Sequence, residues 1–264
     1  MESGAVDDSQ QAPRVAMDSR AAPAQRLATG RDGGVRSSAR ERAKDVLETP
    51  RPSVGIEDGR TVLRVGGVIQ SVLVDERYTA DVWDAQAPRR RPAHALILGL
   101  GGGTIAALML RRWGTVSIVG VERDPAVVAL ARCEFGLASF EQSGQLRIVT
   151  DDAFAYVRET ARANTVRQRA NTGAAADAGE YQPGERFDAI CVDMYTAGKM
   201  AHGALAPAFL RDVARLLAPD GEMTINLWRS AYLDDQLRRI RRELHIQELA
   251  LVDDNVIAHC VALP

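Results

Sequence analysis

The stretch Ala95-Leu-Ile-Leu-Gly-Leu-Gly-Gly-Gly-Thr104 decides the fold. Residues 95–100 are apolar apart from one glycine, with no alternation of polar side chains. A strand covered on both faces reads this way. The run ends in a glycine-rich turn, and residues 101–112 then carry helical character. Glycines at such a junction let the backbone approach a ligand closely and set amide groups at a helix N-terminus. A tight strand-to-helix turn also uses glycine for its geometry alone, so the turn takes its meaning from what surrounds it.

Downstream, strand and helix alternate. Strands are predicted at 116–121, 146–150, 187–193 and 222–227, and helices at 125–134, 152–163, 204–217 and 233–244. The helix at 125 is announced by Asp124-Pro125, an N-cap followed by proline at the first helical position. Residues 245–251 and 256–263 flank Asp253-Asp254-Asn255 and read as a hairpin. Alternation with right-handed crossovers predicts an α/β fold, a doubly wound and mostly parallel sheet with an antiparallel C-terminal hairpin at its edge. Residues 93–264 form this domain, with a mobile insertion expected over the Ala/Gly/Asn-rich 168–185.

Upstream, residues 51–88 read as a separate β-hairpin element. Thr61-Val-Leu-Arg-Val65 and Val68-Ile-Gln-Ser-Val-Leu-Val74 flank Gly66-Gly67. Residues 1–50 hold no Phe, Tyr or Trp, two leucines and no isoleucine, with 8 acidic and 8 basic residues. Such a stretch buries too little apolar surface to offset its ordering entropy and is expected to be a disordered tail.

The 264 residues carry a net charge of −2, so no global basic field draws the chain to nucleic acid or anionic lipid. The four arginines at 238, 239, 241 and 242 lack interleaved aromatics and read as a solvated face. The apolar runs are far shorter than the ~20 residues that span a bilayer. Three scattered cysteines (Cys133, Cys191, Cys260) suit a reducing, cytoplasmic compartment. Four histidines without metal-ligand spacing argue against a metal site.

Three acids stand at successive strand ends. Glu122 lies 21 residues after Gly101, the spacing at which a carboxylate accepts hydrogen bonds from ribose hydroxyls. In Asp151-Asp152-Ala153, one acid is placed to receive an adenine amino group, and one of the pair is expected to cap the following helix. Asp193 ends the fourth strand, where ligands of open α/β sheets bind. Asp188, at the other end of that strand, reads as structural. No GxxxxGK[ST] phosphate loop is present, since Thr104 is not preceded by lysine. Glycines plus one acid leave NAD open. An acid at each of three strand ends instead suits an adenosyl-sulfonium ligand, which has a base and a ribose but no pyrophosphate.

Together, Gly99-Leu-Gly-Gly-Gly103, Val121-Glu-Arg-Asp-Pro125, Asp151-Asp-Ala-Phe-Ala-Tyr156, Phe187-Asp-Ala-Ile-Cys-Val-Asp193 and Leu217-Ala-Pro-Asp-Gly-Glu222 resemble the class I S-adenosylmethionine-dependent transferase fold. With Val65-Gly-Gly-Val-Ile-Gln-Ser71 and Asp75-Glu76, the chain is similar more narrowly to the polyamine aminopropyltransferases, the spermidine synthase-like family. The resemblance implies a transferase that moves an aminopropyl group from decarboxylated S-adenosylmethionine to a small-molecule amine, with S-adenosylmethionine-dependent methyl transfer or non-catalytic nucleoside binding as alternatives. It implies that Gln70 contacts the aminopropyl or methionyl end of the cofactor. Gly99, Gly101 and Gly103 would form the cofactor loop, Glu122 would bind ribose and Asp152 adenine. Asp193 would orient and deprotonate the amine. It also implies a homodimer. The chain departs from the family pattern at Thr196, where a second acid is expected, and at Thr79-Ala80, where a Tyr-His pair is expected. Asp81 keeps an acid nearby, and Lys199 brings a cation into the loop after Asp193.

Overall fold

The structure, a computed structural model, describes residues 51–78, 81–172 and 185–263. The expected tail, most of the expected insertion and Thr79-Ala80 lie outside the described residues.

Three short strands come first, β1 (Ser53–Glu57), β2 (Arg60–Val65) and β3 (Val68–Val72), paired antiparallel in that order. The hairpin is therefore a three-stranded sheet. Its first strand escapes a pattern reading because it buries little, with Ile56 78% exposed. A helix follows inside the segment assigned to the hairpin element, α1 (Val82–Gln86). It is held by a capping box: Asp81 accepts from Val82 N, and Asp84 accepts from Asp81 N at 2.8 Å. Such reciprocal bonds satisfy donors a short helix otherwise leaves unmet. The acid at Asp81 thus has a local structural use, reinforced by Arg60 at 3.2 Å.

The large domain runs β4 (His94–Leu98), α2 (Thr104–Trp113), β5 (Ser117–Glu122), α3 (Pro125–Glu134), α4 (Leu137–Gln142), β6 (Leu146–Thr150), α5 (Ala153–Thr172) and β7 (Phe187–Val192). A small hairpin, β8 (Tyr195–Thr196) and β9 (Lys199–Met200), leads to α6 (Pro207–Leu216), β10 (Leu217–Trp228), α7 (Leu233–Arg241), β11 (Leu244–Val252) and β12 (Asn255–Ala262). The main sheet has seven strands in the order β11-β12-β10-β7-β4-β5-β6. Pairs from β10 through β6 are parallel, and β12 is antiparallel to both its neighbours. This is the expected doubly wound sheet with its antiparallel edge.

Two differences are local. α5 continues to Thr172, into the segment read as an insertion. β10 starts at Leu217 and crosses Pro219-Asp220-Gly221 by an irregularity in its pairing with β7, so the residues that read as a turn sit inside a strand.

Strand alternation sorts the core into two layers. Leu96, Leu98, Ile190, Val192 and Ile225 meet Val157, Leu210, Val213 and Ile240 on one face. Ala95, Ile97, Ala189 and Cys191 meet Trp83, Ile105 and Met109 on the other. Each fully buried Leu or Ile contributes about 1.5–3 kcal/mol. The small sheet docks on the second layer through Val62 and Val72. Thr104 fastens it there: its hydroxyl donates to Val72 O at 2.8 Å and accepts from Val72 N at 2.9 Å. At the opposite end of the sheet Asp188 receives Ala93 N and His94 N at 2.9 and 2.8 Å, a structural use. Among the described residues no helix is long and apolar enough to cross a membrane.

Candidate active site

β4 has β5 on one side and β7 on the other, so the winding reverses between β4 and β7. Beyond the carboxyl ends of these strands a cleft opens. Such a reversal leaves a crevice because the connecting helices depart to opposite faces. Gln70, Gly99, Gly101, Glu122, Asp152 and Asp193, from five separate segments, all line it.

Gly99 sits at the seam. Its φ is +88°, and a Cβ there would lie 2.1 Å from the main-chain oxygen of Asp193. Only glycine lets the ends of β4 and β7 approach this closely. Gly103 has another task and does not line the cleft. It is the N-cap of α2 at φ +83°, and a Cβ would collide with Leu137 behind the loop.

Every amide of the loop is already engaged. Gly99 N and Leu100 N donate to Val121 O, and Gly103 N donates to Leu100 O. Gly101 N donates to Glu122 Oε2 at 3.0 Å, and Gly102 N donates to Ser71 Oγ at 2.7 Å. A loop that cradles phosphate needs those donors free. This loop offers its shape and the Glu122 carboxylate it holds beside it, and none of these five amides.

Glu122 holds the loop with one oxygen and receives Asp124 N at 3.0 Å on the other. A carboxylate has about four lone-pair directions, so acceptor capacity remains toward the cleft. Asp124 in turn caps α3 through Ala126 N at 2.8 Å. Asp152 caps α5, receiving Ala155 N at 3.0 Å on one oxygen, and Asp151 receives Asp152 N at 2.7 Å. Both acids of the pair line the cleft, and the helix cap is Asp152.

Asp193 follows β7, its N–H bonded to Leu98 O at 2.9 Å. Asn226 Nδ2 donates to its Oδ1 at 3.0 Å. Burial pushes the Asp193 pKa up, and the neighbouring amides of Asn226 and Gln86 and the indole of Trp83 work against that rise. Tyr195 lines the same region and donates to Asn226 O at 3.2 Å; burial, then the Asp193 charge, raises its pKa. Lys199 is exposed. In all, four carboxylates (Glu122, Asp151, Asp152, Asp193) and one guanidinium (Arg123) line the cleft. Among the described residues no three His, Cys, Asp or Glu side chains group to hold a metal ion.

Comparison with known proteins follows the same line. The polyamine aminopropyltransferase of Mycobacterium tuberculosis is 33% identical over 169 residues, 62% of this chain. The chain is a distant homologue of the polyamine aminopropyltransferases. It spans only 28% of the length of that relative. Among solved structures, spermidine synthase from Thermotoga maritima aligns over 80% of this chain and 72% of its own, with a TM-score of 0.53 and 15% identity. Human methyltransferase-like protein 13, in complex with SAH, aligns over 70% of this chain and 84% of its own, with a TM-score of 0.55 and 22% identity. At these identities the two structures establish the shared class I methyltransferase-like fold. No protein-family model matches the chain.

Sequence reasoning missed Ser71, Trp83, Gln86, Tyr195 and Asn226. Asn226 had a readable signal: Thr224 and Asn226 alternate with Met223, Ile225 and Leu227, so both faces of the strand are buried and one is polar at its carboxyl end. Trp83 and Gln86 stand on a five-residue helix, too short for any periodicity to show.

Proposed function

We propose that the cleft binds an adenosyl-sulfonium cofactor, and that the protein transfers an aminopropyl group from decarboxylated S-adenosylmethionine to a small-molecule amine. The carrying observation is the lining: four carboxylates around a glycine loop whose amides are spent. A cationic sulfur is attracted there, and a pyrophosphate finds no donors among those amides. In this reading Glu122 receives the ribose hydroxyls and Asp152 uses its second oxygen for the adenine amino group. Gln70 meets the aminopropyl end. Gly99 and Gly101 shape the loop floor, and Gly103 sets the loop's exit into α2.

The amine nitrogen attacks the methylene carbon beside the sulfonium. The new N–C bond forms as the C–S bond breaks, and its electron pair goes to sulfur, which leaves as methylthioadenosine. The nitrogen's surplus proton passes to Asp193. A carboxylate whose pKa is raised by burial is a better base than a solvated one. Holding both reactants in one cleft supplies much of the rate. The reading includes a cytoplasmic homodimer in polyamine synthesis.

Methyl transfer from S-adenosylmethionine is the second reading, favoured by Thr196 standing where the resemblance implies a second acid. Calorimetry with both sulfonium compounds and with methylthioadenosine, followed by product analysis, separates the readings. Release of methylthioadenosine from the decarboxylated compound and an amine is expected. S-adenosylhomocysteine as product replaces the first reading by the second, and binding without turnover leaves a nucleoside-binding protein. If none of the three compounds binds, the proposal falls.

Glu122→Gln is expected to weaken methylthioadenosine by about 10- to 100-fold, because a hydrogen bond to a charged acceptor contributes roughly 1.5–3 kcal/mol. The amide would also turn an N–H toward Gly101 N or Asp124 N, which now donate to it. Affinity within twofold of wild type in the same calorimetry removes Glu122 from the site.

A further inference from the structure

β11 is the outer strand of the seven-stranded sheet, and among the described residues it pairs only with β12. An outer strand presents a row of unpaired backbone groups, which proteins blunt with charged side chains, proline or a bulge. β6, at the opposite edge, carries Arg147 in an ion pair with Glu185 at 2.8 Å. In β11 the stretch Leu249-Ala-Leu-Val252 has no charge and no proline. The one irregularity falls before it, where the pairing with β12 shifts between Ile246 and Glu248. The charge of Glu248 is answered by Arg89 at 2.8 Å.

Two apolar rows of the core cross the sheet and end on this strand in the open. Ile225, Ala258 and Leu249 stand side by side on β10, β12 and β11, and Leu227, Val256 and Leu251 form the next row. The inner members of both rows are fully buried, whereas Leu249 is 37% exposed and Leu251 68%. These rows can continue only into a further strand outside β11.

We propose that this strand is β11 of a second copy of the chain, paired edge to edge and antiparallel about a twofold axis at Ala250. A copy is singled out because the stretch complements itself. A twofold axis normal to the sheet keeps each face on its own side and sets residues opposite one another symmetrically about the axis. With the axis at Ala250, Leu251 lies opposite the partner's Leu249, and Leu249 opposite the partner's Leu251. Each core row then runs unbroken from one subunit into the other. Val252 lies opposite the partner's Glu248, so no like charges meet. An axis at Leu249 would set Leu251 against Gln247, and one at Leu251 would set Leu249 against Asp253. An axis at Glu248 would oppose two like charges, and one at Val252 would set Leu251 against Asp253. Only Ala250 gives both leucines an apolar partner. The pairing uses up the edge on both copies, so assembly stops at two.

The test is sedimentation velocity on the full chain at micromolar concentration, where a dimer is expected. Leu251→Lys, at an exposed position, should fold and weaken the dimer by about 100-fold, because the twofold axis counts each lost leucine twice. Leu249→Glu should do the same. Mixing the two variants is expected to restore dimers, since the lysine of one then lies opposite the glutamate of the other and the second leucine pair is intact. A monomeric wild type overturns the proposal, whatever else then covers the edge, and so do larger assemblies. A Leu251→Lys variant that stays dimeric, or a mixture that stays monomeric, overturns it equally. Should Leu249→Glu fail to fold, Leu251→Lys decides alone. The pairing needs no cofactor, so loss of methylthioadenosine binding would sink the transferase reading while sedimentation alone judges the interface.

Discussion

Asp193→Asn lowers kcat for amine transfer by about 10²- to 10⁴-fold, the usual range for removing a positioned general base, while methylthioadenosine binding stays within about twofold. The expectation follows from the residue's two environments. Toward the protein, Asp193 receives Asn226 Nδ2, and an asparagine oxygen can accept that bond equally well. In the proposed reaction it supplies the base toward the cleft, which an amide cannot. Stability moves the other way. The folded-state pKa of Asp193 lies above the 3.8 of a solvated aspartate. Above both values the anion costs the folded state the full difference. As pH falls through the folded value, the native protein takes up a proton before the unfolded chain does, and the cost is relieved. At neutral pH the charge is therefore a burden on the fold, and the neutral variant should melt higher than wild type. Single-turnover kinetics and a melting scan read both effects. Turnover within twofold of wild type would take Asp193 out of the mechanism.

Gly99→Ala is expected to lower stability by about 4 kcal/mol or more, a size kept for substitutions that force backbone apart. For a folded region of this size it corresponds to a fall in Tm of roughly 10 °C. The methyl group would sit 2.1 Å from Asp193 O and 2.8 Å from Asp193 C, both main-chain atoms that cannot rotate aside. A positive φ of 88° adds strain for any L side chain. Relief requires the ends of β4 and β7 to part, which breaks the bond from Asp193 N to Leu98 O and displaces Asp193. Cofactor affinity and stability should therefore fall together. Wild-type Tm in a thermal scan of the alanine variant would show that the two strand ends are not in contact.

The parts of the molecule that were legible in the sequence share a cause. Residues 95–98, 118–121 and 189–192 carry no charged, hydroxyl or amide side chain because both faces of those strands are covered, and the covering helices have length enough to show a period. The acids at 122, 152 and 193 were legible because a doubly wound sheet presents its strand ends on one side. What stayed hidden depends on contacts between distant segments. β1 buries too little to alternate, and α1 is made by two aspartates that cap each other. The loop at 217–222 forms a strand because β7 lies beside it. Gly103 shows the limit most clearly. Its spacing matches that of Gly99 and Gly101, yet only its neighbour Leu137, from another helix, reveals that it faces away from the cleft.

The engagement of Ser71, Val121 and Glu122 with the loop has a consequence for life among abundant metabolites. ATP and its relatives carry the same sugar and base as the proposed ligand, at concentrations that would swamp a cleft tuned to adenosine alone. In the proposed reading their triphosphate tails would meet loop amides already taken and four carboxylates against one guanidinium. If the cleft takes the proposed ligand, it would screen out the commonest adenine compounds by leaving nothing in the glycine loop for their anions to hold, with no gate or steric block required.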